Sequence, residues 1–127
     1  EGTFDEISIC GPTRISHLKQ GATTTFDLTP EDLGLRRAAK EAIRGGNARE
    51  NARIVRSLLG GEKGPRRDVV LLNAAAAFVA AGLDGDFRAG IDRAAASIDS
   101  GKAGQKLDAL IRFSTSCVQS VRSMAGV

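Results

Sequence analysis

The sequence predicts a mixed α/β chain, in which about the first 28 residues form short strands and the rest forms four to five packed helices. Three observations lead to this prediction. In the early segment Thr24, Phe26 and Leu28 share one face at period two, separated by polar residues. Glycine pairs and capping residues divide the remainder into helix-length segments. An apolar fraction of 42% with five Phe and no Tyr or Trp indicates an aliphatic core.

The early segment is predicted to contain three strands. The first covers about residues 4–9 and is interrupted by Gly11-Pro12, because proline cannot donate to a ladder and glycine favours a turn. Residues 13–18 and 22–28 are predicted to pair as a hairpin around Lys19-Gln20-Gly21, a short loop that ends with glycine. We expect this hairpin at a sheet edge, with one side exposed to water.

Helix-start signals follow the hairpin. Thr29-Pro30-Glu31-Asp32 combines a cap, a first-turn proline and two acids near the positive helix end, and Gly34 keeps this turn short. A second helix is expected over about residues 36–43, stopped by Gly45-Gly46. Asn47 caps a helix that runs to about Leu59 and ends at Gly60-Gly61. The inner face of this helix is predicted to be Ala48, Ala52, Val55, Leu58 and Leu59.

The later helices carry most of the predicted core. Residues 69–81 are apolar on nearly all sides except Asn73, which predicts a central buried helix whose one amide braces a neighbouring loop. A further helix over about residues 85–99 packs through Phe87, Ile91, Ala94, Ala95 and Ile98. The last helix starts near Ser100-Gly101, and its apolar side is Leu107, Leu110, Ile111, Val118 and Val121.

Composition limits the classes of function. No segment reaches the ~18–20 apolar residues that span a bilayer, and the start has neither the basic nor the apolar region of a signal peptide. Cys10 and Cys117 lie far apart in ordinary surroundings, which favours two free thiols in a reducing compartment over a disulfide or a metal cluster. We therefore expect a cytoplasmic protein with no membrane partner.

The net charge of +3 conceals a basic region. Residues 36–67 hold ten Lys or Arg against three acids, a local net charge of +7. Within this region Arg49, Arg53 and Arg56 fall on one stripe of a helix. Such a stripe is either a solvated helix face or a surface that attracts phosphates. The lack of Tyr and Trp argues against stacking on single-stranded bases, so no nucleic-acid partner is expected.

Other candidate sites are weak. Phosphate loops place glycines between a strand and a helix, whereas Gly45-Gly46 and Gly60-Gly61 follow predicted helices, which indicates C-caps. His17 has no second His or Cys at ligand spacing, and no Ser/His/Asp or Cys/His constellation can be assembled.

The remaining candidate is the acidic pair Asp5-Glu6. Two adjacent carboxylates, with a glycine before them and β-forming residues after them, can present four oxygens to a hard divalent cation. An acidic pair at the start of a strand is otherwise an ordinary solvated feature. From the residues alone, both interpretations stay open.

Five segments of the chain, taken together, resemble a known family: EGTFDEIS, GPT, LTPEDLGL, RGGNARENARIVRSLLGGEKGPRRDVVLLNAAAA and IDSGKAGQKLDAL. In this order they resemble the C-terminal portion of the anthranilate phosphoribosyltransferases. The resemblance extends to about Leu110 and leaves residues 114–127 outside it. Its most specific part is the long block around GGNARENA and GPRRDVVLLNAA.

The resemblance implies an activity and a metal site. The family transfers a phosphoribosyl group from phosphoribosyl pyrophosphate to anthranilate in tryptophan biosynthesis, and its Gly-x-x-Asp-Glu run binds Mg²⁺ that neutralises the pyrophosphate. Asp5 and Glu6 are thereby implied as Mg²⁺ ligands, with Glu6 the better candidate for bridging two ions. No other catalytic residue is assigned, because the remaining substrate-binding residues of the family are expected upstream of Glu1.

The resemblance also implies an architecture. Residues 1–127 would form part of a nucleoside-phosphorylase/phosphoribosyltransferase-type α/β catalytic domain, with a few edge strands and a hairpin over 1–28 and helices over 29–127. The upstream sheet and the N-terminal helical domain, through which the family forms homodimers, would lie outside the chain. The chain alone is therefore expected to be inactive, to bind Mg²⁺ weakly, and to be less stable or to self-associate through an open sheet edge.

Two alternatives stay open at this point. One is a phosphoribosyltransferase-like protein that binds nucleic acid through the arginine-rich residues 36–67. The other is a relative of pyrimidine nucleoside phosphorylase, which shares the architecture but transfers the sugar to phosphate.

Overall fold

The computed structural model describes the backbone of residues 6–124 and the side chains of residues 6–119. In chain order its elements are β1 (Thr13–Lys19), β2 (Ala22–Leu28), two 3-10 turns (Pro30–Leu33 and Lys40–Ile43), α1 (Ala48–Leu59), α2 (Pro65–Ala80), α3 (Phe87–Asp99) and α4 (Lys102–Met124). Over these residues the fold is α/β, with one antiparallel hairpin followed by four α-helices. The predicted fold class is confirmed.

The hairpin depends on a two-residue turn. Gln20 and Gly21 have φ values of 51° and 78°, and type I′ turns require positive φ at both central positions. The resulting register pairs Ile15 with Phe26 and places Leu28 opposite Thr13. Leu28 is buried whereas most of β2 is exposed, so the hairpin joins the core mainly through the end that lies far from its turn.

The first predicted strand is wrong over its described part. Residues 6–9 form bends and irregular backbone, and residues 4 and 5 lie outside the described residues. The backbone of this segment bonds to side chains rather than to a strand: the Ser8 N–H donates to Thr13 Oγ1 at 3.0 Å, and the Ile7 N–H donates to a side chain of α2. These non-local partners replace the ladder that the local β-propensity predicts.

The predicted helix over residues 36–43 is also wrong for most of its length. Only the 3-10 turn Lys40–Ile43 forms, and Ala39 before it is extended, with φ −70° and ψ 150°. The Ala38 N–H donates to the carbonyl oxygen of Ile9 at 3.0 Å. This bond engages Ala38 with a distant part of the chain, and tertiary pairing of this kind overrides the modest helix propensity of the segment.

Helix starts lie close to the capping signals. Thr29 forms a reciprocal capping box with Asp32, and Asn47 forms another with Glu50 at the start of α1. Asp86 caps α3 through the Ala89 N–H. α2 begins at Pro65, a few residues before the predicted start, as a proline in the first helical turn permits.

The core is organised around α2, which confirms its prediction as the central helix. One cluster of buried residues joins Leu71 of α2 to Leu58, Ala94 and Ile98. A second cluster joins Leu72 to Ile9 and Leu28. The predicted inner face of α1 is wrong in part: Leu58 is buried, whereas Ala48, Ala52 and Val55 are exposed, because the buried contacts of α1 lie at its C-terminal end.

The apolar side of α4 is mostly exposed. Leu107 is half-buried, but Leu110 is 61% exposed and Val118 is 52% exposed. The side chain of Val121 lies outside those that the structure describes. Of the predicted apolar side, the described residues Leu110, Ile111 and Val118 are therefore exposed rather than packed. No helix of residues 6–124 is both long enough and apolar enough to cross a membrane, and Cys10 and Cys117 are free thiols.

Acidification is expected to destabilise the fold. Side-chain hydrogen bonds, chiefly from arginine, lower the pKa values of five carboxyl groups: Asp27, Glu31, Asp32, Asp84 and, against desolvation by burial, Asp99. In the unfolded chain these groups protonate near pH 4, and in the folded chain they protonate at lower pH. The unfolded state therefore binds more protons in this range, so stability is lost as the pH falls below about 4.

Urea denaturation at pH 3 and pH 6 tests this expectation, with a lower free energy of unfolding expected at pH 3. Asp68 opposes the trend, because desolvation by burial raises its pKa despite the nearby charge of Arg67. A free energy of unfolding that is equal or higher at pH 3 would show that the five carboxyl groups with lowered pKa values do not dominate.

Candidate functional site

The acidic pair lies at the start of the described chain. Asp5 lies outside the described residues. Glu6 is exposed and forms a bend immediately before Ile7. Its carboxylate is accordingly open to solvent and to a bound ligand.

Asn73 of α2 holds the backbone that follows Glu6. The Ile7 N–H donates to Asn73 Oδ1 at 3.0 Å, and Asn73 Nδ2 donates to the Ile7 carbonyl oxygen at 2.8 Å. Asn73 Nδ2 also donates to the carbonyl oxygen of Val69 at 2.9 Å, one turn earlier in the helix. The predicted role of Asn73 as the brace of a neighbouring loop is confirmed, and this loop is the one that carries Glu6.

Burial of Ile9 completes the attachment of this segment. Ile9 is 0% exposed and belongs to the cluster of Leu28 and Leu72. The Cys10 N–H donates to Ser8 Oγ at 2.9 Å, which closes a tight local turn. The carboxylate of Glu6 therefore stands beside a segment fixed by α2 on one side and by the hairpin on the other.

This arrangement suits a metal that takes few ligands from the protein. Within the described part of the chain, no three His, Cys, Asp or Glu side chains lie together as a metal cage. An ion at Glu6 would take its other ligands from Asp5, from water or from a bound molecule. Mg²⁺ is commonly held in this way, by one or two carboxylates together with water and substrate phosphate oxygens.

The basic stripe on α1 is exposed, as a solvated face or an anion-binding surface requires. Arg49, Arg53 and Arg56 are all exposed, and Arg56 Nη1 approaches Asp108 Oδ1 at 3.7 Å. An exposed pair of this kind contributes about 0–1 kcal/mol to stability. The stripe therefore retains most of its positive potential.

The two glycine pairs have different roles. Gly60 follows α1 as its C-cap, and its N–H donates to the carbonyl oxygen of Arg56 at 2.9 Å, as predicted. Gly45-Gly46 is not a C-cap, because Arg44 occupies that position. Instead the Gly46 N–H donates to Asn51 Oδ1 at 2.8 Å, and a Cβ on Gly45 would lie 2.7 Å from the same oxygen. A side chain at position 45 would therefore displace the Asn51 amide from its bond to Gly46.

A cavity of about 170 Å³ lies between α1 and the loop that leads into α2. Its polar lining residues are Arg53, Ser57, Glu62, Lys63, Arg66 and Arg67. The excess of basic residues is visible in the sequence but the cavity is not, because α1 and the start of α2 must pack before these side chains meet. The one available signal was the RR pair directly after Gly64-Pro65, a charged pair at the start of a buried helix.

The fold and the acidic segment agree with a family of transferases. Residues 1–104 match the family model described as glycosyl transferase family, a/b domain. The chain belongs to this family.

Individual relatives of the chain point to one group of enzymes within this family. Anthranilate phosphoribosyltransferase from Symbiobacterium thermophilum is 54% identical over 109 residues, which cover 86% of this chain and 32% of the relative. The crystal structure of anthranilate phosphoribosyltransferase from Thermus thermophilus superimposes with a TM-score of 0.74 at 40% identity, over 82% of this chain and 31% of that one.

A ligand-bound relative is similar as well. Anthranilate phosphoribosyltransferase from Saccharomyces cerevisiae in complex with PRPP and Mg has a TM-score of 0.73 and 30% identity, over 83% of this chain and 30% of that one. The same yeast protein has been solved in complex with 4-fluoroanthranilate. This chain spans about a third of the length of the relatives it matches.

The resemblance drawn from the five sequence segments is therefore confirmed. The position of the chain in the C-terminal portion of a longer protein and the roles of Asp5 and Glu6 stay predictions. Residues 105–127 lie beyond the family match, in agreement with a resemblance that fades after about Leu110.

Proposed function

We propose that this chain is part of an anthranilate phosphoribosyltransferase, which transfers the phosphoribosyl group of phosphoribosyl pyrophosphate to anthranilate. The observation that carries the proposal is its 54% identity over 109 residues to a relative of that name. The activity is proposed for the whole protein, a cytoplasmic homodimer of tryptophan biosynthesis. The 127-residue chain alone is expected to show no turnover.

Asp5 and Glu6 are the proposed Mg²⁺ ligands. The exposure of Glu6 and the attachment of its neighbour Ile7 to Asn73 support this role, as does the complex of the yeast relative with PRPP and Mg. Mg²⁺, when bound, would supply positive charge to the departing pyrophosphate. For that ion Glu6 would be held by its neighbour Ile7, because Asn73 bonds to the backbone N–H and carbonyl of Ile7.

The test is a Glu6→Gln substitution in the full-length protein. Glutamine keeps the size of the side chain but removes the charge that attracts the cation. We expect kcat/KM for phosphoribosyl pyrophosphate to fall about 100-fold, equivalent to ~2.7 kcal/mol of transition-state stabilisation. The Mg²⁺ concentration for half-maximal activity is expected to rise as well. Steady-state assays over a range of Mg²⁺ concentrations measure both effects.

Asp108→Asn is the matched control, because Asp108 is an exposed acid on α4 whose Oδ1 lies 3.7 Å from Arg56 Nη1. Its activity and its Mg²⁺ dependence should equal those of the wild type. Full activity of the Glu6→Gln variant at limiting Mg²⁺ would exclude Glu6 as a metal ligand. Turnover of a pyrimidine nucleoside with phosphate, without turnover of anthranilate, would assign the protein to the nucleoside phosphorylases instead.

A further inference from the structure

We propose that the cavity between α1 and the start of α2 binds a small phosphate-bearing anion. The cavity is separate from the proposed metal site, because neither Glu6 nor Asn73 lines it. Four cationic side chains and one carboxylate line it, so the lining carries a net charge of +3: Arg53, Lys63, Arg66 and Arg67 against Glu62.

Arg67 is the strongest observation in favour of a ligand. Arg67 is only 3% exposed, and its Nη2 donates to Asp99 Oδ2 at 2.9 Å. Its Nη1 is buried and has no hydrogen-bond partner among the described residues. A buried polar group without a hydrogen-bond partner destabilises the fold, and more strongly when the group is charged. An anion oxygen in the cavity that Arg67 lines would supply the missing acceptor.

The acids near Arg67 do not neutralise the cavity. Lys63 Nζ lies 3.5 Å from Asp99 Oδ2, the same oxygen that Arg67 uses, so one carboxylate serves two cations. Desolvation acts to raise the pKa of Asp99, but Arg67 and Lys63 together lower it, which keeps Asp99 ionised. Arg67 and Lys63 thus share the carboxylate of Asp99, and Asp68 is a further acid near Arg67.

The other two cationic side chains of the lining, Arg66 and Arg53, are paired with acids even less than Arg67 and Lys63 are. Arg66 Nη2 donates to the carbonyl oxygen of Arg44 at 2.9 Å, a neutral acceptor. Arg53 forms no ion pair within the described part of the chain. Glu62 accepts a hydrogen bond from Ser57 Oγ, so part of its acceptor capacity is already used. Positive charge therefore dominates where Arg53 and Arg66 line the cavity.

The start of α2 adds to this potential. The helix begins at Gly64-Pro65 in the cavity wall, and no side chain accepts a hydrogen bond at its N-cap. The positive end of a helix dipole favours anions. Asp68, the acid of the first turn, is not a lining residue. Phosphate is the favoured class because its several oxygens and its double negative charge match several separate guanidinium and ammonium donors.

The test is calorimetric titration of inorganic phosphate and pyrophosphate into the 127-residue chain at low ionic strength. Arg53→Gln is expected to weaken binding about tenfold, as for the loss of one charge-assisted hydrogen bond. Arg53 is exposed, so this variant should keep the fold, which far-ultraviolet circular dichroism verifies. Arg49→Gln is the matched control on the same helix but outside the cavity, with a change of less than about twofold expected.

Three outcomes would overturn the proposal. The first is no phosphate or pyrophosphate binding at about 10 mM. The second is equal weakening by Arg49→Gln and Arg53→Gln, which would indicate diffuse attraction to the basic region. The third is binding of duplex DNA much more tightly than pyrophosphate, with steep salt dependence and equal contributions from both arginines, which would assign the region to nucleic acid. None of these outcomes depends on the Mg²⁺ assays of Glu6.

Discussion

Replacing Gly90 with valine is expected to unfold the chain at temperatures at which the unsubstituted chain is folded. Gly90 is buried in α3, where it faces Ala75 of α2. A Cβ at position 90 would lie 2.8 Å from both the Cα and the Cβ of Ala75 and 3.0 Å from its carbonyl oxygen. Two of these atoms belong to the backbone and cannot turn aside, so α2 and α3 would have to separate. That interface carries much of the core.

The expected magnitude follows from two opposing effects. Removing a glycine from a helix interior favours folding by about 1 kcal/mol. Overpacking costs about 1–3 kcal/mol, and more where the backbone must move. We therefore expect Gly90→Ala to lower the free energy of unfolding by about 2 kcal/mol and Gly90→Val by more than about 4 kcal/mol. Thermal and urea unfolding followed by circular dichroism measure the difference.

Gly104→Ala is the matched control. Gly104 also lies within a helix, α4, but a Cβ there would meet no atom within 4 Å. This substitution is expected to leave stability unchanged or to raise it by up to about 1 kcal/mol. If Gly90→Ala and Gly104→Ala change stability equally, close packing of α2 against α3 does not explain the glycine.

Replacing Asn73 with leucine is expected to release the segment that carries Glu6. Leucine has a similar shape, so the principal loss is the hydrogen bonding of the amide. The N–H and the carbonyl of Ile7 would both lose their partner in a partly buried place. Each unsatisfied group costs about 1–3 kcal/mol. We expect a loss of about 3 kcal/mol in the free energy of unfolding and faster hydrogen exchange at the Ile7 amide.

Asn51 offers an unusually close control for Asn73. Its side chain makes the same pair of bonds, from the Gly46 N–H and to the Gly46 carbonyl, at 2.8 Å and 2.9 Å. Those bonds are exposed, so water replaces them, and Asn51→Leu should cost less than about 1 kcal/mol. In the full-length protein, Asn73→Leu should also raise the Mg²⁺ requirement, whereas Asn51→Leu should not. Equal effects of the two substitutions would show that burial of the Ile7 bonds is unimportant.

The elements that sequence analysis predicted well are those with local causes. The hairpin follows from a glycine at a position of positive φ. The start of α1 follows from Asn47 and Glu50, which lie three residues apart and satisfy each other. The apolar pattern of residues 69–81 identified α2 as the central helix. In each case the interacting groups are neighbours in sequence, so their pattern is visible without the fold.

The elements predicted wrongly depend on distant partners. Residues 6–9 have strand-like composition, yet their backbone bonds to Asn73 and Thr13 rather than to a strand. Ala38 lies in a segment with helical propensity, yet its N–H bonds to Ile9. α4 has an apolar side at helical spacing, yet Leu110 and Val118 remain exposed. Periodicity indicates that a face exists but does not indicate what covers it.

The sequence by itself therefore determined the class of fold and the family, because capping boxes, periodicity and contiguous motifs are local properties. It also singled out the acidic pair as the predicted metal site. Only the tertiary structure decided which groups support the acidic segment and where the basic residues converge. Asn73 and Ile7 are 66 residues apart, and Arg67 reaches Asp99 across 32 residues. Such pairs form only when the gain from burying the core around α2 offsets the entropy of closing the intervening chain. Their positions are consequently a property of the packed molecule.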